Sequence, residues 1–369
     1  MCTRVDVDKE PEVARKHGVK PLPDLRLLDP DGKELDKLLG FQSPERLAKA
    51  CQRALDRLAG KGSMDAAAVA PERDIAVSEA TVAAAVERGR VFLAREVEKG
   101  LEKGGVPGLP DAILFALVCA GAGADDPAVQ KLLAEALREE LSGTYQVAFQ
   151  ALALARLDKA KHEARLAECA RFLEGAQSAS GLWSYGNDAT ATGDHSNSAY
   201  ALLGLFACSG AGVEVSRGTA LRAAAAWRAA QNADGGWGYR KDRESESYAS
   251  MTESGIAALA CCKTLGAADA ADAKATERAL AWLSEHFAVR NNAGSAYQQG
   301  RLLYHLYALE RVGSLLAAAR IGTHDWFMDG AAFLLGSQRE DGSWDDGADQ
   351  PAANSAFALL FLTKATRTR

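Results

Sequence analysis

The sequence predicts an all-α fold: six helical hairpins forming an inner ring wrapped by an outer ring, preceded by a small α/β segment. Three observations carry this. From residue 81 onward helical periodicity runs without strand signals. Two kinds of helix alternate there, one amphipathic and one apolar nearly all round. A glutamine-to-tryptophan turn recurs at a near-constant period. Composition agrees: 48% of the 369 residues are hydrophobic and 25% charged, enough for a sizeable core and against disorder as the main state.

In residues 1–60 the texture differs. Val5-Asp6-Val7-Asp8 alternates as a strand, and Glu12 to His17 reads as a short helix stopped by Gly18. Leu25–Leu28 and Glu34–Leu39 read as strands joined through Asp29-Pro30-Asp31-Gly32, the residues of a tight turn. Ser43 then caps a helix with Pro44 at its first position and Leu47, Ala50, Cys51, Ala54, Leu55 and Leu58 on one face. Residues 61–80, rich in Ala, Gly and Ser, read as a linker.

The amphipathic helices are expected over Thr81–Glu98, Pro127–Leu141, Lys161–Gln177, Arg217–Gln231, Ala275–His286 and Asp325–Gln338. The apolar ones are expected over Pro110–Ala120, Thr144–Leu157, Asn197–Ser209, Thr252–Leu265, Tyr297–Val312 and Asn354–Thr363. A helix hydrophobic on every side must be buried on every side, so the second set forms the inner ring. Gln177 to Trp183, Gln231 to Trp237 and Gln338 to Trp344 are the same turn three times, with a degenerate copy at His286 to Gly294. Each ends an amphipathic helix. The glycine supplies the positive φ of a helix stop, the Gln amide satisfies loose backbone groups, and the indole offers an apolar face with one donor. These six residues therefore read as clamps between repeats.

The βαββα order of residues 1–60, with Val-Asp-Val-Asp opening a strand and Pro23 at a cis-proline position, resembles the C-terminal half of a thioredoxin-like domain. The half that would carry a C-x-x-C lies upstream of Met1 in that comparison and Cys2 is alone, so no thioredoxin activity is expected. Over 81–369, Q-x-x-x-G-x-W on outer helices and Thr/Ser/Asn-x-x-Ala opening inner ones resemble the squalene-cyclase and protein-prenyltransferase repeats of terpenoid cyclase-like proteins. This resemblance implies an (α/α)6 toroid framing an apolar cavity.

A class II cyclase of that family protonates its alkene with an Asp in D-x-D-D-T-A at the start of an inner helix. The matching segment is Asp194-His195-Ser196-Asn197-Ser198-Ala199, where Ser196 replaces the donor and Asn197 its neighbour. A serine cannot protonate an alkene near neutral pH, and Asn197 is also a good N-cap. Asp194 and Glu253 remain as candidate acids, provided burial keeps one protonated; such a carboxylate pair would also suit a glycosidase-like toroid. Asp345-Asp346-Gly347-Ala348-Asp349 spells D-D-x-x-D, but a Gly-containing turn does not align its outer carboxylates for magnesium. Cys119, Cys208, Cys261 and Cys262 recur at similar depths in apolar helices, which reads as packing, and the six histidines show no paired ligand spacing. No metal and no cofactor is expected. By position, Thr144, Tyr145, His195, Asn197, Tyr200, Thr252, Tyr297, Gln298 and Asn354 approach the mouth of the ring, and Tyr200, Tyr297, Tyr304, Phe149, Phe206, Phe357 and Phe361 are candidates for an aromatic wall.

The leading expectation is binding of an isoprenoid-like or other apolar small molecule, or of a protein partner, without class II chemistry. The alternatives are an active cyclase or prenyl-transferring enzyme using another acid, and a structural repeat scaffold. A net charge of −6 argues against nucleic acid, and the sequence contains no transmembrane-length apolar run. Seven cysteines without a C-x-x-C pair suit a reducing compartment. A cytoplasmic location is expected for the chain as written, an exported one if its natural start lies upstream.

Overall fold

The computed structural model describes residues 24–28, 34–39, 51, 55, 75–101, 109–240, 246–294, 301–346 and 350–367. The chain divides into two compact units, Met1–Ala66 with Lys103–Gly105, and Ala67–Glu102 with Val106–Arg369. In the first unit, β1 (Asp24–Leu28) and β2 (Glu34–Leu39) pair antiparallel, Asp24 opposite Leu39 and Leu27 opposite Asp36. Cys51 and Leu55 are helical, inside the helix expected after Ser43. The strand at Val5, the helix before Gly18, Cys2 and Pro23 lie outside the described residues.

The second unit holds twelve helices among the described residues. The outer ones are α1 (Glu79–Lys99), α3 (Pro127–Arg138), α5 (Glu163–Gly175), α7 (Arg217–Ala230), α9 (Ala270–Glu285) and α11 (Trp326–Ser337). The inner ones are α2 (Leu109–Cys119), α4 (Thr144–Asp158), α6 (His195–Gly210), α8 (Ala249–Thr264), α10 (Leu302–Leu315) and α12 (Pro351–Leu362). Burial separates the two sets as the pattern requires. In α7 only the stripe Thr219, Ala220, Ala223, Ala224, Trp227 and Ala230 is buried, whereas α8 is buried without a break from Ala249 to Leu259. Each inner helix packs against the next in chain order, and α12 packs against α2, so the inner ring closes.

Several helix bounds differ from expectation by a few residues, and three of the starts have a clear local reason. Helix α1 starts at Glu79 because Ser78 and Thr81 form a capping box, so the last residues assigned to the linker are helical. Helix α9 starts at Ala270 because the Asp269 carboxylate accepts from Ala271 N at 2.9 Å. Helix α8 begins at Ala249, one turn before Thr252, since Asn292 Oδ1 accepts from Ser250 N at 2.9 Å.

Candidate functional site

The Gln–Trp turns are one device built three times. The Nε2 atoms of Gln177, Gln231 and Gln338 donate to the turn's own Gly181, Gly235 and Gly342 carbonyls at 2.8–3.0 Å. Each also donates to a carbonyl of the next outer helix, Thr219, Ala275 or Ala85, at 2.8–3.0 Å. An arginine one turn further along that helix (Arg222, Arg278 or Arg88) donates back to the Gln Oε1. The Trp183, Trp237 and Trp344 indoles are buried and donate to Leu173, Trp227 and Leu334 carbonyls at 2.6–2.9 Å. Their backbone N–H groups donate to Ser198, Thr252 and Ser355 hydroxyls. The third copy joins α11 to α1 and thereby closes the outer ring. The three glycines have φ of 85°, 96° and 93°, and a Cβ on Gly235 would stand 2.9 Å from the Arg278 carbonyl.

The structure divides the expected mouth residues into two groups. Thr144 donates to the Ser184 carbonyl at 2.5 Å, Thr252 serves the Trp237 turn, and Asn354 donates to Asp345 and Asp346 at 3.3 and 2.8 Å. Asp346 also accepts from Leu302 N at 3.0 Å and so holds the start of α10, while Asp345 pairs with Arg339 at 2.9 Å; these two carboxylates of the D-D-x-x-D spelling serve the scaffold. His195 turns outward: its Nδ1 meets the Gly238 carbonyl at 2.6 Å and its ring stacks on Trp227 of α7, 4.7 Å between centroids. Phe361 likewise faces outward, against Trp326 and Phe327, and Phe206 stays partly exposed, so neither joins a central wall. Tyr297 and Gln298 lie outside the described residues.

The second group meets inside the ring. Tyr145 and Ser196 share a hydrogen bond, and Ser196 Oγ lies 2.6 Å from Tyr304 OH. Helices α4 and α10 stand on opposite sides of the inner ring, so this hydroxyl chain crosses it. Around the chain lie Phe149, Tyr200, Tyr307 and Phe357: Phe149 and Tyr200 centroids are 5.0 Å apart, Tyr304 and Phe357 5.7 Å, Tyr307 and Phe357 6.0 Å. Among them sits a residue the sequence reading passed over, Arg311 of α10. Its guanidinium is 1% exposed and lies 4.8 Å from the Tyr200 ring centroid and 5.0 Å from that of Tyr307. Burial pushes the Tyr145, Tyr200 and Tyr307 hydroxyls well above the usual phenol range, so they keep their protons.

The two candidate acids occupy different places. Asp194 is the N-cap of α6, accepting from Asn197 N and Asn197 Nδ2, both at 2.8 Å, with the Tyr239 hydroxyl also against it. Burial raises its proton affinity, and those hydrogen bonds work in the opposite direction. Glu253 is fully buried in α8 and faces His305 of α10, Oε2 to Nδ1 2.9 Å, while His305 Nε2 lies 2.8 Å from the Ala288 carbonyl. Both neighbours of the ring nitrogens are acceptors, which calls for a doubly protonated imidazole. Burial opposes that charge, but Glu253 and the Ala288 carbonyl outweigh it and raise the pKa of His305. The Glu253 carboxylate thus serves a tie between α8, α10 and the loop after α9.

Burial pushes the Cys261 thiol up to about 12 and those of Cys208 and Cys262 higher still, and among the described residues no His, Cys, Asp and Glu groups converge as a metal set. No described helix is long and apolar enough to cross a membrane.

No protein-family model and no curated protein matches the sequence. Solved structures do. Two complexes of the type II terpene cyclase MstE from Scytonema with geranylgeranyl dihydroxybenzoate align with TM-scores of 0.52 and 0.50 at 12% identity. They cover 78% of this chain and 98% and 96% of theirs. The ent-copalyl diphosphate synthase from Streptomyces platensis aligns with a TM-score of 0.41 over 68% of this chain and half of its own, at 18% identity. The likeness to MstE extends over a span matching the length of the two rings, and this chain has a terpenoid cyclase-like helical fold.

Proposed function

We propose that the toroid is a receptor for an isoprenoid-like ligand and does not carry out class II cyclisation. One observation carries the reading: a permanent cation, the Arg311 guanidinium, occupies the aromatic cage. Cyclisation of a polyprene runs through carbocations, which an aromatic wall steadies only while the wall is free of other positive charge. A second cation about 5 Å from Arg311 meets a repulsion of about 3 kcal/mol at an effective dielectric constant of 20. The acid side of the site supports the same reading. Ser196 stands at the position matched to the proton donor and belongs to the hydroxyl chain with Tyr145 and Tyr304. Asp194 holds the start of α6 through both carboxylate oxygens. Access to the inner wall requires that chain to part, at roughly 1 kcal/mol per hydrogen bond. The MstE structures, which hold a geranylgeranyl-bearing substrate, make a long prenyl chain the ligand class to try first.

A second reading is favoured by the buried carboxyl of Asp194, whose raised proton affinity is what an alkene-protonating acid needs. One experiment separates the two. Purified protein is incubated with squalene and with geranylgeraniol, and the hydrocarbon fraction is analysed by gas chromatography and mass spectrometry. The receptor reading expects retained, unchanged polyprene. Cyclic products that disappear in Asp194→Asn overturn it in favour of the enzyme.

A further inference from the structure

We infer that the cavity between the C-terminal ends of α2 and α4 is a binding site for the carboxylate or phosphate group of a metabolite-sized molecule, held by Arg156 and Lys161. The site is built from helix ends and their connections, and it is independent of the receptor reading.

Five of the six inner helices end in one way. After α2, α6, α8, α10 and α12 one residue (Gly121, Gly212, Gly266, Ala317 or Lys364) takes a positive φ of 49–100°. The next N–H then returns to the helix: Ala122 to the Leu117 carbonyl, Val213 to Cys208, Ala267 to Cys262, Ala318 to Gly313 and Ala365 to Leu360, all at 2.9–3.1 Å. Helix α4 departs from this pattern. No residue in 156–162 has a positive φ, and the chain runs through Asp158-Lys159-Ala160-Lys161 to His162, the N-cap of α5. Beside this one departure lies a cavity of about 310 Å³, lined on its apolar side by Val118, Leu157 and the small residues 121–124. That volume is at the low end of small-molecule sites.

The charged lining is Arg156, Asp158 and Lys161. Asp158 Oδ1 accepts from Lys161 N at 3.0 Å. The Arg156 guanidinium, half-buried, and the Lys161 ammonium make no hydrogen bond or ion pair among the described residues. His162 completes the lining, 5% exposed and with no partner for its Nε2. Burial and the Lys161 charge lower its pKa from the ordinary 6.5, against the pull of Asp158, so the ring is neutral at pH 7. Two unpaired cations thus border one cavity against a single, partly occupied carboxylate. An oxyanion answers both, taking the Arg156 fork and the Lys161 point charge; an alcohol answers neither. The carbonyl ends of α2 and α4 make the opposite demand, for a cation. Those of Leu117 and Val118 are already met by the Ala122 and Gly121 N–H groups.

The full chain is titrated with butyrate, ethyl phosphate, butanol and butylammonium. Nuclear magnetic resonance follows the backbone amides of residues 121–124 and the pH titration of the His162 ring. At least one anion is expected to give saturable amide shifts and to raise the pKa of His162, because its charge offsets that of Lys161; butanol and butylammonium do neither. Arg156→Gln and Lys161→Gln, which remove side-chain charges without partners and so keep the fold, each weaken that anion at least about tenfold. Lys159→Gln, in the same connection but outside the cavity lining, changes its affinity less than about twofold. Butyrate against ethyl phosphate tells which oxyanion fits. No saturable shift with either anion, an equal response to butanol, or a preference for butylammonium overturns the inference. Anion binding indifferent to both Arg156→Gln and Lys161→Gln overturns it as well.

Discussion

The outer turns and the inner ring solve the burial of polar groups in opposite ways. In the turns, every amide nitrogen of Gln177, Gln231 and Gln338 and every indole N–H of the paired tryptophans has a backbone partner, and the arrangement is repeated to within a few tenths of an ångström. At the centre the arrangement occurs once: Tyr145, Ser196, Tyr304 and Arg311 come from three different helices, α4, α6 and α10, and several polar atoms are left unpaired. Repetition with full satisfaction is the mark of structure, because each copy answers the same packing demand. A single arrangement carrying unmet hydrogen-bonding capacity has a cost that packing alone does not explain.

The largest expected effect lies in the repeated device. Trp237 is fully buried against Trp227, 5.9 Å between centroids, and its indole and backbone N–H both have partners. Trp237→Ala is expected to destabilise the toroid by about 3–5 kcal/mol in urea unfolding. Affinity for ligand, measured per folded molecule at low temperature, stays level. Lost binding with unchanged unfolding would move this tryptophan into the functional half of the comparison.

The two regions also differed in how far they could be read from sequence. The rings were legible because α7 and α8 differ in which positions are apolar, and caps such as Asp126 before Pro127 mark where helices begin. The contact that closes the outer ring was not, since Gln338 and Ala85 are 253 residues apart and no local pattern links them. At the centre, Tyr145, Tyr200 and Tyr304 were found as aromatic residues near helix starts. His195 and Thr252 share that position but turn outward, and which way an apolar helix faces cannot be told when all its sides are buried. Arg311 did leave a signal: it follows Tyr304 by seven residues and Tyr307 by four, one face of α10. Its charge within an apolar run was the clue.

A middle-sized effect follows from titration, which the amide-built turns lack and the inner helices possess. Burial raises the pKa of Glu310 to about 7, against the hydrogen bonds from Ser314 and Thr366. A carboxyl whose folded pKa lies above its unfolded value near 4.5 binds its proton more tightly in the folded state. Its stabilising contribution is therefore complete below about pH 4.5 and is lost as pH rises through about 7, a change of about 3 kcal/mol. The raised pKa of His305 adds a slope of the same sign, beginning near its unfolded value of 6.5 and continuing above it. Glu310→Gln is expected to flatten the lower part of the curve, seen as a smaller drop in urea midpoint between pH 5 and pH 7. A variant with the same slope as the unaltered chain would place the titration elsewhere.

The smallest effect contrasts two arginines directly. Arg222 is an exposed residue on α7 whose Nε and Nη2 both donate to Gln177 Oε1, at 3.0 and 2.5 Å, so Arg222→Met takes both of these bonds from a largely buried amide oxygen that solvent can reach in part. A loss of about 1 kcal/mol is expected. Arg311→Met removes a desolvated cation that has no ion pair among the described residues and replaces it with a flexible apolar chain among Tyr200, Tyr307 and Phe357. Removing an uncompensated buried charge relieves its desolvation cost, so the free protein is expected to be unchanged or more stable by up to about 2 kcal/mol. Thermal unfolding of the two variants without ligand reads the difference in sign. If Arg311→Met instead melts well below Arg222→Met, the guanidinium is a structural keystone held by its tyrosines, and the centre joins the outer turns as scaffold. If it melts at or above the unaltered protein, the cation is kept at a cost to stability, as expected of a group that packing does not explain.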